Sequence, residues 1–139
     1  NSKRRDAEII IVANRVSKSK YPVIVAGDFN DVAWSETTNL FRKSSGLLDP
    51  RIGRAFLNTY HAQIPFIKWP LDHVFFSPHF TLVNLDKLPA VNSDHYPISI
   101  KLSLSAKDTE HFPVKKDSVT QKKETETIEE GIKDAKENN

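Results

Sequence analysis

The sequence has no cysteine, no methionine, only 4 glycines among 139 residues, and no long apolar run. Without cysteine there can be no disulfide, no thiolate nucleophile and no cysteine-bound zinc. The longest apolar stretches, Ile9 to Ala13 and Val23 to Ala26, are core-sized. They fall well short of the roughly 18 residues a membrane helix needs. Asn1 to Asp6 leads into a helical pattern rather than the apolar region of a signal peptide. The missing initiator methionine predicts a piece of a longer chain, with its N-terminal part and any targeting signal upstream. One-sided charge is also lacking: 20 Lys and Arg stand against 18 Asp and Glu, a net charge of +2. Residues 1–106 carry 13 basic and 9 acidic side chains, and residues 107–139 carry 7 and 9. Neither imbalance points to nucleic-acid binding through charge alone, and the cluster Lys3-Arg4-Arg5 reads as a solvated helix end.

The length suits one modest domain. Ile9, Val12, Ala13 and Val16 recur at i, i+3, i+4 and i+7, the face of an amphipathic helix that Tyr21-Pro22 cannot extend. Val23 to Ala26 is an apolar run of strand length, apolar on both faces, as expected of a central strand covered on both sides. Gly27 is expected to end that strand and allow a tight turn. Ser35 as N-cap, Glu36 after it and Gly46 as stop predict a helix over residues 36–45. Residues 47–70 read as irregular, with a short extended piece near Leu57 to His61. Leu71 to Phe76, Phe80 to Leu85 and Ile98 to Leu104 are strand candidates. The last alternates strictly and predicts one buried and one wet face. From residue 106 onward, Lys, Glu, Asp and Thr dominate. That composition predicts a polar, disordered tail over 106–139, with at most a transient helix at Thr127 to Lys136.

Three polar clusters fall at strand ends: Gly27-Asp28-Phe29-Asn30, Leu71-Asp72-His73 and Ser93-Asp94-His95. Taken singly, an Asp after a strand is more often a turn former, and an Asp-His pair a local hydrogen-bonded turn. Taken together they supply complementary chemistry. Asp28 and Asn30, at i and i+2, leave a strand end in the same direction; one can accept a proton or hold a water, the other can donate to an anionic oxygen. Asp94 offers a hard oxygen to a divalent cation, His95 an imidazole, and Asp72 a carboxylate able to fix that imidazole's tautomer. These are the parts that stabilise phosphoryl transfer.

The ordered segments Gly27-Asp28-Phe29-Asn30, Leu71-Asp72-His73-Val74-Phe75 and Ser93-Asp94-His95-Tyr96-Pro97 resemble the C-terminal motifs of the endonuclease/exonuclease/phosphatase superfamily. That group of metal-dependent phosphoesterases includes the pancreatic-type deoxyribonucleases. The likeness covers residues 1–105, which are expected to be the C-terminal half of such a domain. Pro22 to Ser35 is most similar to a bacterial subgroup that is often membrane-anchored through an N-terminal region. The resemblance implies an α/β fold, part of a four-layer sandwich of two packed mixed sheets flanked by helices, with its N-terminal half upstream. It implies hydrolysis of a phosphoester in a nucleic acid, a phosphoinositide or a phospholipid headgroup. Asp28 would orient or deprotonate water, Asn30 would bind the scissile phosphate, and Asp94 would hold Mg²⁺ or Mn²⁺. His95 would stabilise developing charge, with Asp72 supporting it. An Asn and a Glu metal ligand are expected upstream of Asn1, so the fragment alone is expected to lack turnover. The competing readings are a non-catalytic binding module on the same fold and an inactive fragment.

The remaining candidates read as structural. Trp34, Phe41, Phe56 and Trp69 suit packing better than base stacking. His61, His79 and His111 are assigned no chemistry, and His73 should point away from Asp72 along the strand. Thr59-Tyr60 falls in a loop that lies near the substrate in relatives.

Overall fold

A computed structural model describes residues 2–29, 35–50, 72–89, 98–105 and 115–138. Among these residues the chain forms α1 (Ser2–Val16), β1 (Ile24–Asp28), α2 (Glu36–Ser45), β2 (Asp72–Phe76), β3 (Phe80–Lys87), β4 (Ile98–Leu104) and α3 (Ser118–Glu137). The α/β class agrees with the sequence. The described strands form two antiparallel pairs, β1 with β2 and β3 with β4. The expected extended piece near Leu57 to His61 lies outside the described residues.

Local chemistry sets the bounds of α2. The Ser35 hydroxyl accepts from the Thr38 backbone N–H at 3.0 Å, and Gly46 closes the helix at φ 71° with its N–H on the Arg42 carbonyl. A left-handed φ of that kind is natural only for glycine.

The core lies between the helices and one face of the β1–β2 pair. Ile10, Ala13 and Val16 of α1 and Leu40 and Phe41 of α2 are buried with Phe29, Leu47 and Phe75, and Val23 and Val25 pack against them. On the other face β1 itself is open, with Ile24 51% exposed and Ala26 exposed too, although Phe76, opposite Ile24 on β2, is fully buried. Val23 to Ala26 is therefore covered on one face only among the described residues, whereas its composition predicts cover on both. β2 is flanked on its second edge by Leu48, which exchanges backbone hydrogen bonds with Phe76 at 2.8 and 3.1 Å.

Ser77 and His79 join the two sheets. The Val23 N–H donates to the Ser77 hydroxyl at 3.0 Å, and the Ser77 N–H donates to the Val23 carbonyl at 2.9 Å. The Ser77 hydroxyl also lies 2.7 Å from His79 Nδ1, while the His79 carbonyl accepts from Ser105 N–H at 2.8 Å. The start of β1, the β2–β3 turn and the end of β4 thus meet on two buried polar residues. On β4 the polar Ser99, Lys101 and Ser103 are exposed and Ile100 and Leu102 half-buried, as the alternation predicts, but Leu104 is 64% exposed.

Two expectations are corrected by α3. The stretch expected to be a disordered tail contains a 20-residue helix, capped where Asp117 accepts from the Thr120 N–H at 2.7 Å. The helix packs on α1 and α2. Its buried stripe is Thr120, Glu124 and Gly131, with Ile128 reaching the core. A count of large apolar residues does not register so small and polar a stripe. Lys116 and Glu124 form a buried ion pair at 2.8 Å, and Lys116 also bonds the Asn14 side chain of α1. Neither charge is left unpaired, which offsets their desolvation. Because α3 covers one flank of α1, the buried stripe of α1 is Ala7, Ile10, Ala13 and Val16, and Val12 is 43% exposed rather than at its centre.

Hydrogen bonds from Thr120 hold the Asp117 carboxyl below its ordinary pKa. A depressed carboxylate stabilises the fold above its unfolded pKa and loses that contribution as pH falls through the folded value. The α3 cap is therefore at full strength near neutral pH and weakens in acid.

Gly131 marks the closest approach of α3 to α1. A Cβ there would sit 2.3 Å from Ala7 Cβ and 2.9 Å from the Lys3 carbonyl oxygen. Alanine is better than glycine in a helix by about 1 kcal/mol, yet Gly131→Ala should destabilise the protein by about 1–3 kcal/mol through overpacking. Urea unfolding measures the sign, and a stabilised variant would contradict this helix contact.

Candidate active site

The β1–β2 ladder sorts the first two polar clusters by face. Asp28 pairs with Asp72, Gly27 with His73, Ala26 with Val74 and Val25 with Phe75. Directly opposed residues share a face and successive ones alternate. Asp28 and Asp72 are therefore opposed register positions at the end of the strand pair, while the His73 and Phe75 side chains lie beside the helices. Asp28 is exposed, and His73 is 1% exposed. The expected divergence of His73 from Asp72 is what the register produces.

An aromatic cluster holds this end of the sheet. Phe29 leaves β1 directly after Asp28 and is buried. Its ring lies parallel to the His73 imidazole, with centroids 4.9 Å apart at 12°. It meets Phe41 edge-on at 5.3 Å and 85°, and Phe75 at 5.3 Å and 34°. Phe41 closes the set on Phe75 at 4.7 Å. The apolar residue of the Gly27–Asn30 segment is thus the anchor that sends its polar neighbours the other way. Its signal in the sequence is period-two alternation: Gly27 and Phe29 fall on one face, as do His73 and Phe75. Phe41 is core, as expected.

Gly27 is a correction. It lies within β1 rather than at its end, its φ is outside the left-handed region, and a Cβ added there would meet nothing within 4 Å. Neither a tight turn nor a close approach requires glycine there.

Of the five site residues expected from the sequence, Asp28 and Asp72 are brought together by backbone register. Asn30, Asp94 and His95 lie outside the described residues, as do Trp34, Phe56, Trp69, Thr59, Tyr60, His61 and His111. Among the described residues no group of three or more His, Asp or Glu side chains gathers to hold a metal. The clefts between the helices are lined by paired charges, with Lys3 on Glu130 at 3.3 Å and Lys123 on Glu36 at 3.0 Å, and no described residue of the motifs borders them.

Comparison with known families settles the kinship. The model of the endonuclease/exonuclease/phosphatase family matches residues 1–95. The chain belongs to this family. The matched span contains Asp28, Asn30, Asp72, Asp94 and His95. As a member of the endonuclease/exonuclease/phosphatase family the chain falls in a hydrolytic, phosphoesterase-type group. No curated protein and no solved structure matched it. No described helix is long and apolar enough to cross a membrane.

Two neighbouring residues of the first motif should respond in opposite ways. Gly27→Ala should leave stability unchanged or raise it by about 0.4–1 kcal/mol, because the backbone and the space both accept a methyl group. Phe29→Ala should cost about 3–5 kcal/mol by emptying the aromatic cluster. Thermal unfolding of the two variants checks the contrast.

Proposed function

We propose that this chain forms part of a divalent-metal-dependent phosphoester hydrolase of the phosphodiesterase or nuclease type. Water attacks phosphorus in line with the leaving oxygen. One oxygen–phosphorus bond forms, the bond to the leaving group breaks, and the two products are an alcohol and a phosphate bearing the new hydroxyl.

The observation that carries the reading is the pairing of Asp28 with Asp72 at the β1–β2 end, above a buried aromatic anchor. Asp28 is exposed and ends a strand, which suits a group that orients the attacking water and takes its proton. Asn30 donates hydrogen bonds to the scissile phosphate. His95 contacts the phosphate oxygens as charge develops, and Asp72 fixes the His95 imidazole. Asp94 is the hard oxygen donor that would hold Mg²⁺ or Mn²⁺, and carboxylate chemistry fits such a cation. When bound, the cation neutralises negative charge on the phosphoryl oxygens. Positioning and charge stabilisation outweigh base strength in this chemistry.

The substrate is a phosphoester of a nucleic acid, a phosphoinositide or a phospholipid headgroup. The exposed Ile24 and Ala26 on the open face of β1 support the view that this strand pair belongs to a larger, four-layer sandwich whose second sheet covers that face.

In the full-length protein, Asp28→Ala, Asn30→Ala and His95→Ala should each lower kcat by at least ~10²-fold, the loss expected on removing one preorganised transition-state contact. Excess EDTA should abolish turnover, and Mg²⁺ or Mn²⁺ should restore it. Wild-type turnover in any of the three variants removes that residue from the site, and activity in EDTA removes the metal.

A further inference from the structure

Among the described residues, basic side chains are commonly matched by acidic ones: Lys3 with Glu130, Arg4 with Glu8, Lys122 with Glu126 and Lys133 with Glu137. The end of α1 is different. From Ile9 to Gly27 the sequence contains no Asp or Glu, yet Arg15, Lys18 and Lys20 fall within it. All three are exposed, and no described acidic side chain pairs with them. A further cation arrives from far along the chain. Lys116 bonds the Asn14 side chain, which brings the exposed Lys115 beside the last turn of α1. Asp117 and Glu124, the described carboxylates at this start of α3, are engaged by the Thr120 N–H and by Lys116. A helix C-terminus favours a cation through its dipole, but the effect fades beyond the last turn. That accounts for Arg15, not for Lys18 and Lys20 past the helix or Lys115 on another segment.

The loop between α1 and β1 is held by its own hydrogen bonds. The Ser17 and Ser19 N–H groups donate to the Ala13 and Val16 carbonyls at 2.9 Å each, and the Ser19 hydroxyl accepts from the Tyr21 N–H at 3.1 Å. Out of this turn stands Tyr21, 77% exposed. Two residues on, Val23 is bonded to Ser77, and the same β2–β3 turn holds Ser105 through the His79 carbonyl. Leu104, 64% exposed, therefore belongs to the same end of the molecule.

We infer that the α1–β1 loop is a docking surface for an anionic phospholipid membrane. Each Lys or Arg held near an anionic leaflet strengthens binding by roughly fivefold. A tyrosine places its ring at the headgroup level and keeps its hydroxyl in water. A nucleic-acid backbone would answer the cations but give Leu104 no apolar partner, which favours lipid. Asp28 lies at the opposite end of β1, roughly 13 Å beyond Ile24 along the strand. The surface is thus separate from the proposed hydrolytic site, and the inference does not depend on the phosphoesterase reading.

Co-sedimentation of the full-length protein with lipid vesicles tests the assignment. The probes are vesicles of phosphatidylcholine with phosphatidylserine and vesicles of phosphatidylcholine alone, at low salt. Wild type should bind the anionic vesicles at least ~10-fold more tightly than the neutral ones, and the difference should shrink as salt screens the charges. The double variant Lys18→Glu with Lys20→Glu should weaken binding to the anionic vesicles by roughly 10²-fold. Tyr21→Ala should weaken it about threefold to tenfold by removing ring area that lipid covers, without altering its salt dependence. Lys136→Glu, at the other end of α3, should change it by less than about twofold. All of these side chains are exposed, so the variants should keep the wild-type Tm. Equal affinity of wild type for both vesicles, or unchanged affinity in the double variant or in Tyr21→Ala, would overturn the inference. A labelled single-stranded oligonucleotide run in parallel covers the other polyanion. Wild-type binding tighter than to the anionic vesicles, and lost in the double variant, would assign the surface to nucleic acid and overturn it as well.

Discussion

The stack of Phe29 on His73, closed by Phe75 and Phe41, is the contact on which the rest of this structure turns. It joins three elements at one point: the exit of β1, the start of β2 and the middle of α2. Aromatic pairs at such separations contribute about 0.5–1.5 kcal/mol each beyond their buried area, and here they share rings. The consequence for function is geometric. With Phe29 held inward, alternation along the backbone turns Asp28 outward, and the ladder sets Asp72 across from it. The buried side of the segment supplies the precision, and the exposed side is free to carry charge.

Behind that cluster stands a helical layer with its own logic. α1 is covered by α2 and α3, and α3 approaches α1 closely only because Gly131 meets Ala7. The buried Lys116–Glu124 pair, tied to Asn14, fixes where α3 begins relative to α1. Breaking one partner of such a pair typically costs about 3–5 kcal/mol, while the intact pair adds little net stability. Its effect is on register more than on energy. At the other end of the sheet, hydrogen bonds of Ser77 and His79 play a similar part, pinning β1 to the β2–β3 turn.

How much of the fold is legible in the sequence depends on how local the determining chemistry is. The bounds of α2 are legible because Ser35 and Gly46 act within four residues of themselves. β1, β2, β3 and β4 are legible from apolar runs and turn residues. The helix α3 is not, because its buried stripe consists of threonine, glutamate and glycine, which become a packing surface only against α1. The buried face of α1 escapes a periodicity argument for the same reason: Val12 and Ile10 are both apolar, and only the neighbouring helix decides which is covered. Gly27 suggests a turn by residue type, but its backbone is ordinary strand. The three motifs carry the family kinship, which the match over residues 1–95 supports. The pairing of Asp28 with Asp72 is a matter of tertiary register that spacing alone does not specify.

That pairing is the core of the functional reading, and the chain offers a direct way to test it because it contains no cysteine. Opposed residues in an antiparallel pair have Cα atoms about 4.5–5.5 Å apart, within the roughly 4.4–6.8 Å that a disulfide spans. Under mild oxidation the double variant Asp28→Cys with Asp72→Cys should form an intramolecular disulfide in the folded protein, detected by mass and by loss of free thiol. The control Asp28→Cys with His73→Cys, whose positions lie on opposite faces, should stay reduced. Thiols that remain free in the first variant, or a cross-link in the second, would contradict the register and with it the pairing of Asp28 with Asp72.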